Sequence, residues 1–192
     1  MVQKIPASGL ENAGGAFKNL VINGGMKIAQ RATSATTVVN GAYQTVDRMK
    51  LYNSSDGAYT SAQTALSLTD QATTGGQTHA LDIQCTTADT SIGAAQYAFI
   101  YHLVEAQNCQ HLKFGTSSAV DLTIQFYVKS NLTGTTCGFV AKEDTTYCQA
   151  PFEFTINSAN TWEKKVVTIP ANDVIKASSS IINNDNGPGI GI

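Results

Sequence analysis

The sequence predicts an all-β chain built as an antiparallel β-sandwich, with an extended N-terminal arm and one short helix. Three observations predict it. Where a hydrophobic pattern exists its period is two, the spacing that sends alternate side chains to opposite faces of a strand. Short runs of this kind are separated by turn chemistry, at Asn23-Gly24-Gly25, Ser55-Asp56-Gly57, Gly75-Gly76 and Thr133-Gly134. No alternation of strands with long helices is present, which removes the nucleotide-binding α/β folds. Many short strands so punctuated indicate a jelly-roll-like sandwich.

Taken in order, residues 1–18 have little periodicity and several glycines, and read as the arm, with the sandwich domain over 19–192. A strand over 20–23 is followed by a Thr-, Ala- and Ser-rich loop over 29–45 with a weak strand at 38–39. Further strands are predicted over 48–53, 64–69 and 79–86. In the run over 97–105, Tyr97, Phe99, Tyr101 and Leu103 share one face, and Ala98, Ile100, His102 and Val104 share the other. Both faces are largely apolar, so this strand is expected to be central and covered on both sides. Residues 105–112 read as the one short helix. The run over 120–129 alternates most cleanly, with Leu122, Ile124, Phe126 and Val128 inward and Asp121, Thr123, Gln125 and Lys129 outward. Strands over 137–142, 152–156 and 162–169 follow. From Ile181 a new apolar pattern starts close to Ile192, so a final strand of the sandwich is expected to be missing or cut short.

Composition limits the function. Hydrophobic residues make up 42% of the 192, enough for a core, but charged residues only 14%, against roughly 25% in ordinary soluble proteins. Hydroxyl and amide side chains fill the difference, a surface suited to packing against copies of itself or to hydrogen-bonding sugars. A net charge of −2 with 12 Lys and Arg leaves no basic footprint for nucleic acid. Nothing approaches the ~18 consecutive apolar residues of a membrane span, and no signal-peptide pattern is visible, so synthesis in a cytoplasm is expected. Cys85, Cys109, Cys137 and Cys148 are scattered, without the paired spacing of a zinc site, and read as reduced thiols; only Cys137 and Cys148 could face each other across a hairpin.

Three places carry a family resemblance. The first is Asn19-Leu20-Val21-Ile22-Asn23-Gly24-Gly25-Met26-Lys27-Ile28-Ala29-Gln30-Arg31, followed by Tyr43-Gln44-Thr45-Val46-Asp47-Arg48-Met49. The second runs from His102-Leu103-Val104-Glu105-Ala106-Gln107-Asn108 to Leu112-Lys113-Phe114-Gly115-Thr116. The third is Phe126-Tyr127-Val128-Lys129-Ser130, with Trp162-Glu163-Lys164-Lys165-Val166 and Asp185-Asn186-Gly187-Pro188-Gly189 beyond it. In this order, over roughly residues 19–190, the chain resembles bacteriophage tail-fibre and virion structural proteins. The resemblance implies a sandwich of the carbohydrate-binding-module type at a receptor-facing or connecting part of a fibre, with further chain after the Asp-Asn-Gly segment. Met49 and Phe114 stand where that family has larger aromatics. A sugar-binding role for those positions is in doubt here, whereas a core role would be preserved.

Candidate sites are few. His79, His102 and His111 lie in separate elements and read as structural. Glu143-Asp144, the adjacent acidic pair, reads as solvated turn charge rather than the two carboxylates of a glycosidase. Asp47 and Arg48 are expected to pair with other residues and to hold the N-terminal loop to the sandwich. Asp185 and Asn186 offer too few oxygens for Ca²⁺. No catalytic residue, metal or cofactor is expected. Sugar recognition needs exposed aromatic faces, and Trp162, Tyr127, Tyr52 and Tyr59 are the candidates, with Tyr147 near them in kind; the simpler reading of Trp162 is a core anchor. Ile5, Pro6, Leu10 and Phe17 are the arm's candidate docking residues. The expected function is that of a phage virion component, present in the virion, homotrimeric, bound to other tail proteins and contributing to attachment to a host glycan. The alternative is a free carbohydrate-binding module or a fragment of a surface-polysaccharide depolymerase.

Overall fold

The computed structural model describes residues 19–144, 147–177, 179 and 181–192. Ile5, Pro6, Leu10 and Phe17 of the expected arm lie outside the described residues. Among the described residues there are ten strands: β1 (Ser34–Ala35), β2 (Met49–Asn53), β3 (Ala58–Ala65), β4 (His79–Thr87), β5 (Ala98–Glu105), β6 (Leu122–Val128), β7 (Gly134–Lys142), β8 (Cys148–Ile156), β9 (Glu163–Ile169) and β10 (Pro188–Gly191). All pairings are antiparallel, in a five-stranded sheet ordered β2-β5-β10-β7-β8, a three-stranded sheet β1-β3-β4 and the pair β6-β9. The chain is all-β and sandwich-like.

The core lies between one face of the five-stranded sheet and β6-β9. Val104, Ile190, Val140 and Ala150 meet Leu122, Ile124, Val167 and Ile169 there. Ala106, Cys109 and Leu112, from two short 3₁₀ turns (Ala106–Asn108 and Gln110–Leu112), close it together with Phe114 and Ile175. Phe114 belongs to this core and Met49 is buried as well, so both departures from the family pattern occupy packing positions. The three-stranded sheet is tied in through the buried pair Thr45 Oγ1···Ser61 Oγ, 3.3 Å apart.

Several expectations are corrected. The short helix expected over 105–112 is the pair of 3₁₀ turns. A helix instead occupies α1 (Leu68–Thr73), partly where a strand was predicted over 64–69. Ser67 caps it by accepting the Asp70 N–H at 3.1 Å while its hydroxyl donates to Asp70 Oδ2 at 2.7 Å, a capping box that outweighs the β-prone threonines. A second short helix is α2 (Asp173–Lys176). Residues 20–23 form no strand. Cys137 and Cys148 are not opposite one another: Cys137 is in register with Glu153 and Cys148 with Lys142. None of the four cysteines is joined in a disulfide.

The resemblance segments are hydrogen-bonded to each other. Asn23, at φ 59°, donates its amide to the carbonyls of Ile28 and Asp47, both at 2.9 Å. Asp47 in turn binds Arg31 at 3.3 Å, while Arg48 binds Glu105 at 2.6 Å. The Asp185–Gly189 segment receives the N–H groups of Ala106 and Gln107 on its Gly187 and Asp185 carbonyls, each at 2.8 Å.

His102 lies on the core side of β5 and is buried. Its Nε2 accepts the Ile22 N–H at 3.3 Å, and its Nδ1 faces the Arg48 carbonyl at 3.2 Å. A neutral ring protonated on Nδ1 satisfies both of these partners. Burial, and then the Arg48 guanidinium, hold its pKa below the ordinary value, so the unfolded chain binds this proton more readily than the folded one. The resulting stability is complete above about pH 6.5 and is lost as pH falls from there toward the depressed folded value. The urea midpoint is therefore expected to drop between pH 7.5 and 5.5 in the natural chain and to drop less in His102→Gln. Equal drops in both would show that His102 is not the titrating group.

Candidate functional site

The register of the five-stranded sheet fixes what its outer face carries. Tyr52 is opposite Phe99 and Lys50 opposite Tyr101. Gly191 is opposite both Leu103 and Ala141. Alternation then places Lys50 and Tyr52 of β2, Phe99, Tyr101 and Leu103 of β5, Gly191 of β10, and Phe139, Ala141 and Glu143 along β7 on this one face. β5 was expected to be covered on both sides. Its outer face is instead the floor of an open cleft of about 380 Å³, lined by Lys50, Tyr52, Phe99, Tyr101, Leu103, Glu143, Tyr147 and Pro188.

The floor is a set of interlocked rings. Tyr52 stacks on Phe99 with centroids 4.9 Å apart and planes at 24°. Phe99 stands edge-on to Tyr101 at 5.6 Å and to Phe139 at 5.2 Å. Such pairs contribute about 0.5–1.5 kcal/mol each beyond their buried area, so the rings hold one another in place. At its margin Tyr97 and Tyr147 are exposed, at 44% and 55%.

Polar groups flank the rings. The Tyr101 phenol passes over β10 and donates to Glu143 Oε1. Gly191 makes this path available: a Cβ there would lie 1.9 Å from Tyr101 Oη. Burial first, and then the hydrogen bond to Glu143, raise the Tyr101 pKa well above its ordinary value. The phenol is thus a fixed donor at neutral pH and Glu143 a fixed acceptor. Burial, and then the Glu143 charge, also raise the pKa of Tyr52. Across the face, the Lys50 ammonium lies 5.0 Å from the centroid of the Tyr43 ring.

Of the aromatics singled out in the sequence, Tyr52 lies in this cleft. Tyr127 and Trp162 are together on the outer side of β6-β9. The Tyr127 hydroxyl is against Gly75, where a Cβ would come within 3.0 Å. Trp162 is half-buried outside the hydrophobic core, not an anchor within it, with Lys129 Nζ 5.9 Å from its ring centroid. Lys129 reaches Asp70 at 3.9 Å, so this cluster joins α1 to the β6-β9 edge. The Ser67 hydroxyl chiefly, with Lys129 and the nearby Trp162 indole as lesser influences, lowers the Asp70 pKa, although the indole N–H makes no hydrogen bond of normal geometry. Tyr59 is half-buried on β3 beside Gly57.

Glu143 and Asp144 were read as solvated turn charge, yet both are half-buried and engaged. Glu143 holds Tyr101, and Asp144 accepts the Asn183 backbone N–H and, at 3.3 Å, its amide. Phe99, Tyr101, Phe139 and Lys50 were missed as site residues. Their signal was the tyrosine-phenylalanine alternation of β5, legible as a face but not as an open one. Among the described residues no three His, Cys, Asp or Glu side chains gather as a metal site, and no helix is long and apolar enough to cross a membrane. Comparison with protein-family models, curated proteins and solved structures finds no match to this chain.

Proposed function

We propose that this domain is the glycan-contacting β-sandwich of a bacteriophage tail fibre or related virion protein. The observation that carries the reading is the rigid aromatic floor in which the half-buried Tyr52 and Phe99 line an open cleft, backed by the buried Tyr101 and by Phe139 and flanked by Lys50 and Glu143. A pyranose presents an apolar C–H face, which an exposed ring covers, and a rim of hydroxyls, which a fixed carboxylate and an ammonium can bind. The virion setting is supported by the ordered resemblance over residues 19–190 and by the hydrogen bonds that join its segments. In that setting the chain works as a homotrimer docked to other tail proteins, and light scattering at micromolar concentration tests this: a monomer there counts against the assembly.

The alternative of polysaccharide cleavage gains nothing from Glu143 and Asp144, because both carboxylates already hold neighbouring groups. Tyr52→Ala removes the ring that stacks on Phe99 while leaving the core side of β2 intact. It is expected to weaken binding to a glycan array by at least about tenfold, the effect of losing roughly 1.4 kcal/mol, with an unchanged circular dichroism spectrum. Array binding that survives Tyr52→Ala, or that is lost only in Trp162→Ala, would place the ligand elsewhere.

A further inference from the structure

The two charged groups of the cleft are not equivalent. Glu143 is already engaged by the Tyr101 phenol. Lys50, half-buried on the opposite side, has no carboxylate within 4.0 Å among the described residues. Its neighbour is the Tyr43 ring, which has the Arg31 guanidinium 5.5 Å from its centroid as well. Arg31 is paired with Asp47, so the β2 side of the cleft keeps a net positive edge whose available charge is that of Lys50. A cation over an aromatic ring is stabilised without being neutralised. It therefore retains its attraction for an anion.

Spacing separates the two strands that carry the charges. β2 and β7 are three strands apart in the order β2-β5-β10-β7, about 14 Å between backbones at the usual inter-strand distance. A ligand can thus place a negative group at Lys50 without facing Glu143 directly, and rest its apolar face on Tyr52 and Phe99, the next outward pair along β2 and β5.

Building on the glycan reading above, we infer that the cleft selects an acidic polysaccharide, one carrying a singly charged anionic group in its repeat. Lys50 takes the anion, Tyr52 and Phe99 take the sugar ring, and Glu143 accepts from hydroxyls further along the chain. A uronic-acid carboxylate and a backbone phosphodiester share this chemistry, and the binding measurement separates them.

The full 192-residue chain is titrated against purified bacterial surface polysaccharides of three kinds: uronate-containing, phosphodiester-containing and neutral. At low salt at least one acidic kind is expected to bind ten times or more tighter than the neutral kind, with the advantage shrinking as salt is raised. Lys50→Gln is expected to bring the acidic-to-neutral ratio close to one, and Lys50→Arg to keep most of it. Uronate preference alone assigns the carboxylate, and phosphodiester preference alone assigns the phosphate. Equal binding of acidic and neutral chains, or a preference untouched by Lys50→Gln, overturns the inference and leaves glycan binding standing. Binding to none of the three removes both.

Discussion

Gly191→Ala is expected to destabilise the domain by about 3 kcal/mol, although it adds a single methyl group. That methyl would lie 1.9 Å from Tyr101 Oη and 2.0 Å from its Cζ, distances no side chain tolerates. β10 is held on both sides by β5 and β7, so the strand cannot retreat, and the ring must move. The ring, however, is wedged against Tyr52, Phe99 and Phe139 and bonded to Glu143. Overpacking of this kind costs about 1–3 kcal/mol, and losing a hydrogen bond to a carboxylate adds about 1.5–3. Urea denaturation of Gly191→Ala, Tyr101→Ala and the double variant tests the account. The methyl should be nearly harmless once the tyrosine is gone, giving a coupling of about 1–3 kcal/mol. Strict additivity would mean that the two residues do not compete for the same space. Because Tyr101 is part of the floor, Gly191→Ala should also weaken the proposed glycan binding at protein concentrations where the variant is still folded.

The legible part of the fold is the part whose pattern is local. β6 declares itself because Leu122 and Ile124 enter the core while Thr123 and Gln125 remain outside. α1 was hidden because it has no apolar stripe: Leu68 is 83% exposed, and only the Ser67–Asp70 capping box marks its start. β10 was legible only as a final strand missing or cut short, for a different reason. Pro188-Gly189-Ile190-Gly191 has little β-propensity of its own, and it is a strand because two others close on it. The same distinction explains the cleft. Tyr52 could be read as outward from its place in β2, but two apolar faces on β5 fit a covered strand and an open aromatic floor equally well. Glu143 looked like solvated turn charge because its partner, Tyr101, is 42 residues earlier. Pairing across that distance is a property of sheet order, which alternation within one strand does not specify.

Deleting residues 188–192 is expected to abolish cooperative folding, a larger effect than any single substitution at the surface. The deletion removes β10 from the middle of the five-stranded sheet, leaving β5 and β7 with unpaired edges facing each other. It also removes Ile190, fully buried in the core, and the reciprocal hydrogen bonds between Ile192 and His102, at 2.8 and 2.9 Å. Ile190→Ala isolates the packing share of that loss and should cost about 2–5 kcal/mol, lowering the urea midpoint while keeping a single sharp transition. The truncated chain should instead show a broad transition and poor dispersion of its amide resonances. A sharp transition in the truncated chain would show that β5 and β7 can pair without β10, and that the outer face, cleft included, does not depend on it. Val104, opposite Ile190 in the sheet, is 86 residues earlier in the chain. Closing so long a loop is slow, so the aromatic floor is expected to form late in refolding. Stopped-flow recovery of tyrosine fluorescence at the cleft should follow the slowest phase, and Ile190→Ala should slow that phase if β10 docks in the rate-limiting step.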